Sequence, residues 1–154
     1  MSSRKKILTQ RVRRWLGNGA IITWGALTLL AALLLAGLGV TMTSDPSPGN
    51  TPGDRVWGWW AIVTGALIGT GALGVTIHPF FRQAALRMAS VALLAAGVGC
   101  GMYLVVSASH LAREASGDFA AMAAMGSALM GGVALIAGCT AVIGIVVLLV
   151  HKSR

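Results

Sequence analysis

Hydrophobic and polar positions in this chain fall into long blocks rather than short periods. Charged residues are missing from 15 to 44, 56 to 81, 88 to 112 and 119 to 151. Each of these runs exceeds the roughly 20 residues an α-helix needs to cross the hydrocarbon core of a bilayer. Four transmembrane helices are therefore predicted, at about 19–42, 57–78, 88–109 and 120–150. With tight connections between them, an all-α, antiparallel four-helix bundle is the simplest architecture, with sequence neighbours adjacent in space.

The last block shows the solvent most clearly. A row of small residues, Ala120, Ala124, Ser127, Gly131, Ala134, Gly138 and Ala141, recurs at spacings of four and three, while Leu129, Met130, Val133, Leu135 and Ile136 lie off it. A soluble helix buries its large apolar residues, whereas membrane helices associate where small residues let backbones approach. Between Ala120 and Ala141, 13 of 22 residues are Ala, Gly or Ser, so the row indicates a packing face and not a signature. Gly65 with Gly69 and Gly97 with Gly101 repeat the GxxxG spacing in spans two and three, a weak signal in a chain with 21 glycines. These four glycines, with Ser127, Gly131, Ala134 and Gly138, are the candidate helix-packing positions.

Composition agrees with the pattern. Of 154 residues, 56% are hydrophobic and 10% charged, with a mean hydropathy of +0.79, against about 25% charged in soluble domains. Four spans leave too little chain for a second domain. The organisation expected is a basic cytoplasmic interfacial segment at 1–18, a four-helix transmembrane domain at 19–151 and a basic cytoplasmic tail at 152–154.

A net charge of +8 and a pI near 11.2 would suggest nucleic acid in a soluble protein. The distribution argues otherwise. Arg4, Lys5, Lys6, Arg11, Arg13 and Arg14 precede the first span, Arg82 and Arg87 separate the second and third, and Lys152 and Arg154 follow the fourth. Opposite these ten lie Arg55 and Arg113 with all four acids, Asp45, Asp54, Glu114 and Asp118. By the positive-inside rule both termini are cytoplasmic, and an even number of spans agrees. The Ala, Gly, Leu and Val richness suits a bacterial chain, so the expected location is a multi-pass position in a bacterial inner membrane.

In the N-terminal arm, Leu8, Val12, Trp15 and Leu16 share one helical face among the basic residues. The arm is read as a short amphipathic segment on the inner leaflet, with the six basic residues touching anionic headgroups and Trp15 as an interfacial anchor. No nucleic-acid-reading module accompanies it. The first span is about 23 apolar residues, too long for the 7–15 of a signal-peptide core.

Trp57, Trp59 and Trp60 open the second span and Phe80 and Phe81 close it. Aromatic rings favour the headgroup boundary, so these residues read as interfacial anchors. Pro79 should end that helix. The loop 44–54 is dense in turn formers, and its Asp45, Asn50 and Asp54 do not follow the EF-hand spacing.

Candidate chemistry is sparse. Cys100 and Cys139 read as buried apolar fillers that a neighbouring arrangement of spans three and four could bring together. His78, His110 and His151 all sit at span ends. Met102, Met122, Met125 and Met130, with Cys139, raise Cu(I) transport, since soft sulfur ligands suit that ion, but their spacing does not stack ligands cleanly. No Asp, Glu, Lys, Arg or His lies well inside any span. Coupled transporters and proton relays need such a group at depth, and no nucleophile-base pair or phosphate loop is present. The expectation is a non-enzymatic protein without catalytic, cofactor or metal site. It is read as a structural or accessory subunit packing with itself or a larger membrane partner. The alternative is a homo-oligomeric pore or holin-like permeabiliser using Thr64, Thr70, Thr76, Ser127 and Thr140, and a third reading is a small-molecule or Cu(I) transport component.

Overall fold

The computed structural model describes the backbone of residues 3–44, 52–81, 83–114 and 120–150, with side chains for 17–44, 55–81, 83–111, 113, 121–122 and 124–150. These form four helices: α1 (Ser3–Ser44), α2 (Pro52–Ile77), α3 (Ala84–Glu114) and α4 (Ala120–Val150). All four contain a stretch long and apolar enough to cross a membrane, from 23 residues in α2 to 28 in α1 and α3. The chain is an all-helical bundle of the kind that multi-pass membrane proteins build.

Helix limits follow local chemistry. Pro52 opens α2, where a missing N–H removes nothing the helix needs. At the other end Pro79 cannot continue the ladder, and α2 stops at Ile77. The chain turns there with Phe80 N donating to Ile77 O at 2.9 Å, and Arg87 N then donates to Gln83 O as α3 begins. α1 runs unbroken through Gly17 and Gly19, whose surroundings are open, so the basic arm continues into the helix of the first span. The side chains of Arg4, Lys5, Lys6, Arg11, Arg13, Arg14 and Trp15 lie outside the described residues, as do the loop 45–51, His151 and the tail 152–154.

α2 is the centre of the bundle. Half of its apolar window is buried, against 22% in α1 and 28% in each of α3 and α4. It is also the least hydropathic of the four, as expected of the helix that meets protein more than lipid. α1 packs on α2, α2 on α3 and α3 on α4, and α4 touches both α1 and α2. Among the described residues α1 and α3 do not meet.

The core has two layers. Toward the end where α1 finishes and α2 starts, Leu35, Ala61, Leu104, Met130 and Ala134 pack together, flanked by Met42 and Trp57. Toward the other end the cluster is Ala32, Ile68, Val75, Leu94, Ala137, Ala141 and Leu148, with Trp24 against it.

Candidate interaction surfaces

Glycines set how closely the helices approach. A Cβ at Gly39 would lie 2.5 Å from the Gly58 carbonyl oxygen, and one at Gly58 2.7 Å from that of Gly39, so α1 and α2 meet there backbone to backbone. Farther along the same seam, a Cβ at Gly65 would fall 2.6 Å from the Ala32 carbonyl, and one at Gly25 would collide with the Thr76 hydroxyl. On the α2–α3 seam, Gly71 receives Leu94, Gly74 receives Ser90 and Gly97 receives Ile68. Such close approach favours dispersion contacts and Cα–H···O contacts, the forces available where lipid is as apolar as the side chains.

The hydroxyl residues in these seams are satisfied within their own helices. Thr28 and Thr64, both fully buried, donate to Trp24 O at 2.9 Å and Trp60 O at 2.7 Å. Thr76 donates to Ala72 O, Ser90 to Leu86 O, Ser127 to Ala124 O, Thr140 to Ala137 O and Thr70 to Ala66 O. Each hydroxyl bonds a carbonyl three or four residues back, and none of these bonds crosses between helices.

The Trp24 indole makes a hydrogen bond that does cross. Trp24 Nε1 of α1 donates to Thr140 O of α4 at 3.0 Å. In a regular helix that carbonyl already accepts the amide of residue 144, so a second donor can reach it only past the side chain at 144. Residue 144 is glycine, and a Cβ there would lie 2.5 Å from the Trp24 ring. The indole therefore occupies a notch that Gly144 leaves open. Sequence reasoning passed over both residues. The signal present was a lone tryptophan within a span, whose N–H requires a partner at that depth.

The candidate packing positions separate by environment. Gly65 and Gly97 sit in tight contact with α1 and α2 respectively. Gly69 and Gly101 have room, with the nearest contacts of a Cβ at 3.6 Å in both cases. Ala134 is buried. Ser127 and Gly131 are half-buried at the α3–α4 seam, and Gly138 is half-buried with nothing near the position of a Cβ. The buried row on α4 is Met130, Ala134, Ala137, Ala141, Gly144 and Leu148, adjoining the row of small residues and sharing Ala134 and Ala141 with it.

No protein-family model, curated protein or solved structure matches the chain. Its surfaces must be read from their own chemistry.

On the outside of the α3–α4 seam run two joined hollows of about 290 and 280 Å³ that share Val105 and Leu135. Met102 and Gly138 line the first, Ser127 and Gly131 the second. Cys139 also opens into the first; both cysteines are free thiols, Cys100 half-buried and Cys139 exposed. Met130 belongs to the core while Met122 and Met125 are exposed, so the sulfur residues are spread over several surfaces. His78, half-buried, directly follows the last residue of α2, and His110, exposed, lies near the end of α3.

The aromatic residues form two groups. Tyr103 of α3 stacks on Trp57 at 6.5 Å and tilts against Trp60 at 5.0 Å, tying α3 to the start of α2, while Trp59 is exposed. Phe80 and Phe81 project from the turn after α2 and are 69% and 60% exposed.

Proposed function

We propose that the protein is a structural or accessory subunit of a bacterial inner-membrane assembly, an antiparallel four-helix bundle with both termini and the 82–87 connection on the cytoplasmic side. The approach of Gly39 to Gly58 and of Gly25 to Thr76 supports the antiparallel order, since positions late in α1 meet those early in α2 and the reverse. The ten basic residues on one side support the orientation. The basic arm then meets anionic headgroups at the cytoplasmic face.

The observation that carries the functional reading is where the polar groups go. The five hydroxyls available to a lumen, those of Thr64, Thr70, Thr76, Ser127 and Thr140, each bond their own helix. They also lie on different surfaces: Thr64 is buried, Thr70 faces outward and Ser127 lies at the α3–α4 seam. Among the described residues such a bundle offers no water path, proton relay or catalytic group, and its outward face is apolar. Its role is association, without enzymatic activity, nucleic-acid binding, cofactor or metal.

The test is to tag the C-terminus, solubilise gently from the native host, and determine the native mass with the identity of every co-purifying polypeptide. A stoichiometric membrane partner is the expected result. A closed homo-oligomer that passes ions in liposomes would replace this reading with a pore, and a lone monomer would also contradict it.

A further inference from the structure

The joined hollows on the α3–α4 seam are an apolar groove on a surface that a bilayer would cover. Met102, Val105 and Val106 line it from α3, and Leu135, Gly138 and Cys139 from α4. The two hydroxyls in it, Ser109 and Ser127, donate to Val106 O and Ala124 O of their own helices, so neither has a spare donor for water and the groove is predominantly apolar. An empty groove would forfeit dispersion contacts along both walls. The walls are almost entirely apolar along the length of the seam, a lining that suits a hydrocarbon chain. A cation lies on the same helical row beyond one end of the groove: Met102, Val106 and Ser109 form a row at spacings of four and three, and Arg113, exposed in the last turn of α3, continues it by four.

We propose that the α3–α4 groove holds one acyl chain of an anionic phospholipid whose phosphate is met by Arg113. The apolar walls take the chain, and the guanidinium, a planar donor of several hydrogen bonds, takes the phosphate oxygens. This inference does not rest on the subunit reading, because it concerns the isolated chain and the bilayer.

The experiment delipidates the full-length protein in mild detergent, adds phosphatidylglycerol or phosphatidylcholine of identical acyl chains, and counts retained lipids by native mass spectrometry. One retained phosphatidylglycerol is expected, favoured over phosphatidylcholine by about fivefold, the effect of one arginine near an anionic surface. Arg113→Gln should bring that preference close to one, and Arg113→Lys should keep most of it. Gly138→Leu places a side chain in the groove where nothing else lies within 4 Å, and should reduce retention of both lipids. Gly99→Leu, equally open but outside the groove, should leave retention unchanged, and thermal melts of all variants check folding. Equal retention of the two lipids, no retained lipid, or retention untouched by Gly138→Leu would each overturn the proposal. So would a photo-crosslinker at Leu135 that captures a polypeptide or a second copy of the chain in place of lipid.

Discussion

Trp24 illustrates how much a single side chain decides in an apolar bundle. α1 touches α4 over a smaller surface than it shares with α2, and the indole joins the two by a hydrogen bond that depends on the absence of a side chain at Gly144. Interhelical hydrogen bonds in membranes contribute about 0.6 kcal/mol on average and at most about 1.7. Trp24→Phe keeps much of the ring and removes the N–H, so it should lower unfolding stability in detergent by an amount in that range. Gly144→Ala should have a larger effect, because the added carbon meets the ring itself. Equal stability of all three proteins in a denaturant titration would show that the notch is not occupied as described. Neither residue stands out in the sequence, where Trp24 is one of five tryptophans and Gly144 one of 21 glycines. Their pairing depends on a helix contact between residues 116 positions apart, which no local pattern encodes.

Between helices, the glycines rank differently from their spacing. Gly65 and Gly69 are equivalent members of a GxxxG, yet a Cβ at the first meets the Ala32 carbonyl at 2.6 Å and at the second meets only side-chain carbons at 3.6 and 3.7 Å. Overpacking of a tight contact costs about 1–3 kcal/mol, so Gly65→Ala should destabilise the bundle by that amount. Gly69→Ala should leave stability unchanged or raise it by up to about 1 kcal/mol through helix propensity. Parallel thermal melts distinguish the two; equal losses would contradict the α1–α2 geometry. The four helices themselves were legible, because four charge-free runs, each long enough to cross a bilayer, leave few alternatives. The facing of α4 was not, because its small residues occur on several sides. Composition could not choose between the row through Gly131 and Gly138 and the buried row through Ala137 and Gly144.

At the scale of the whole molecule, α2 sits at the centre, α1 and α3 flank it without touching each other among the described residues, and α4 closes the ring. Among the described residues the arrangement leaves no buried side-chain polar atom without a partner, and it presents an apolar exterior interrupted by the α3–α4 groove. Function was less legible than fold for a physical reason. In the proposed role as a subunit, specificity would lie in shape, and shape depends on which small residues from separate helices come together. The proposed antiparallel order of α1 and α2 is tested most directly by disulfide trapping in native membranes. In a background with Cys100 and Cys139 replaced by alanine, Gly25→Cys is paired with Thr76→Cys. A Cβ at Gly25 would lie 3.4 Å from the Thr76 Cβ, close to the disulfide range of about 3.5–4.5 Å. The account predicts ready intramolecular cross-linking of this pair and none for Gly39→Cys with Thr76→Cys, since Gly39 lies about 20 Å farther along α1. Cross-linking of the second pair in preference to the first would contradict it.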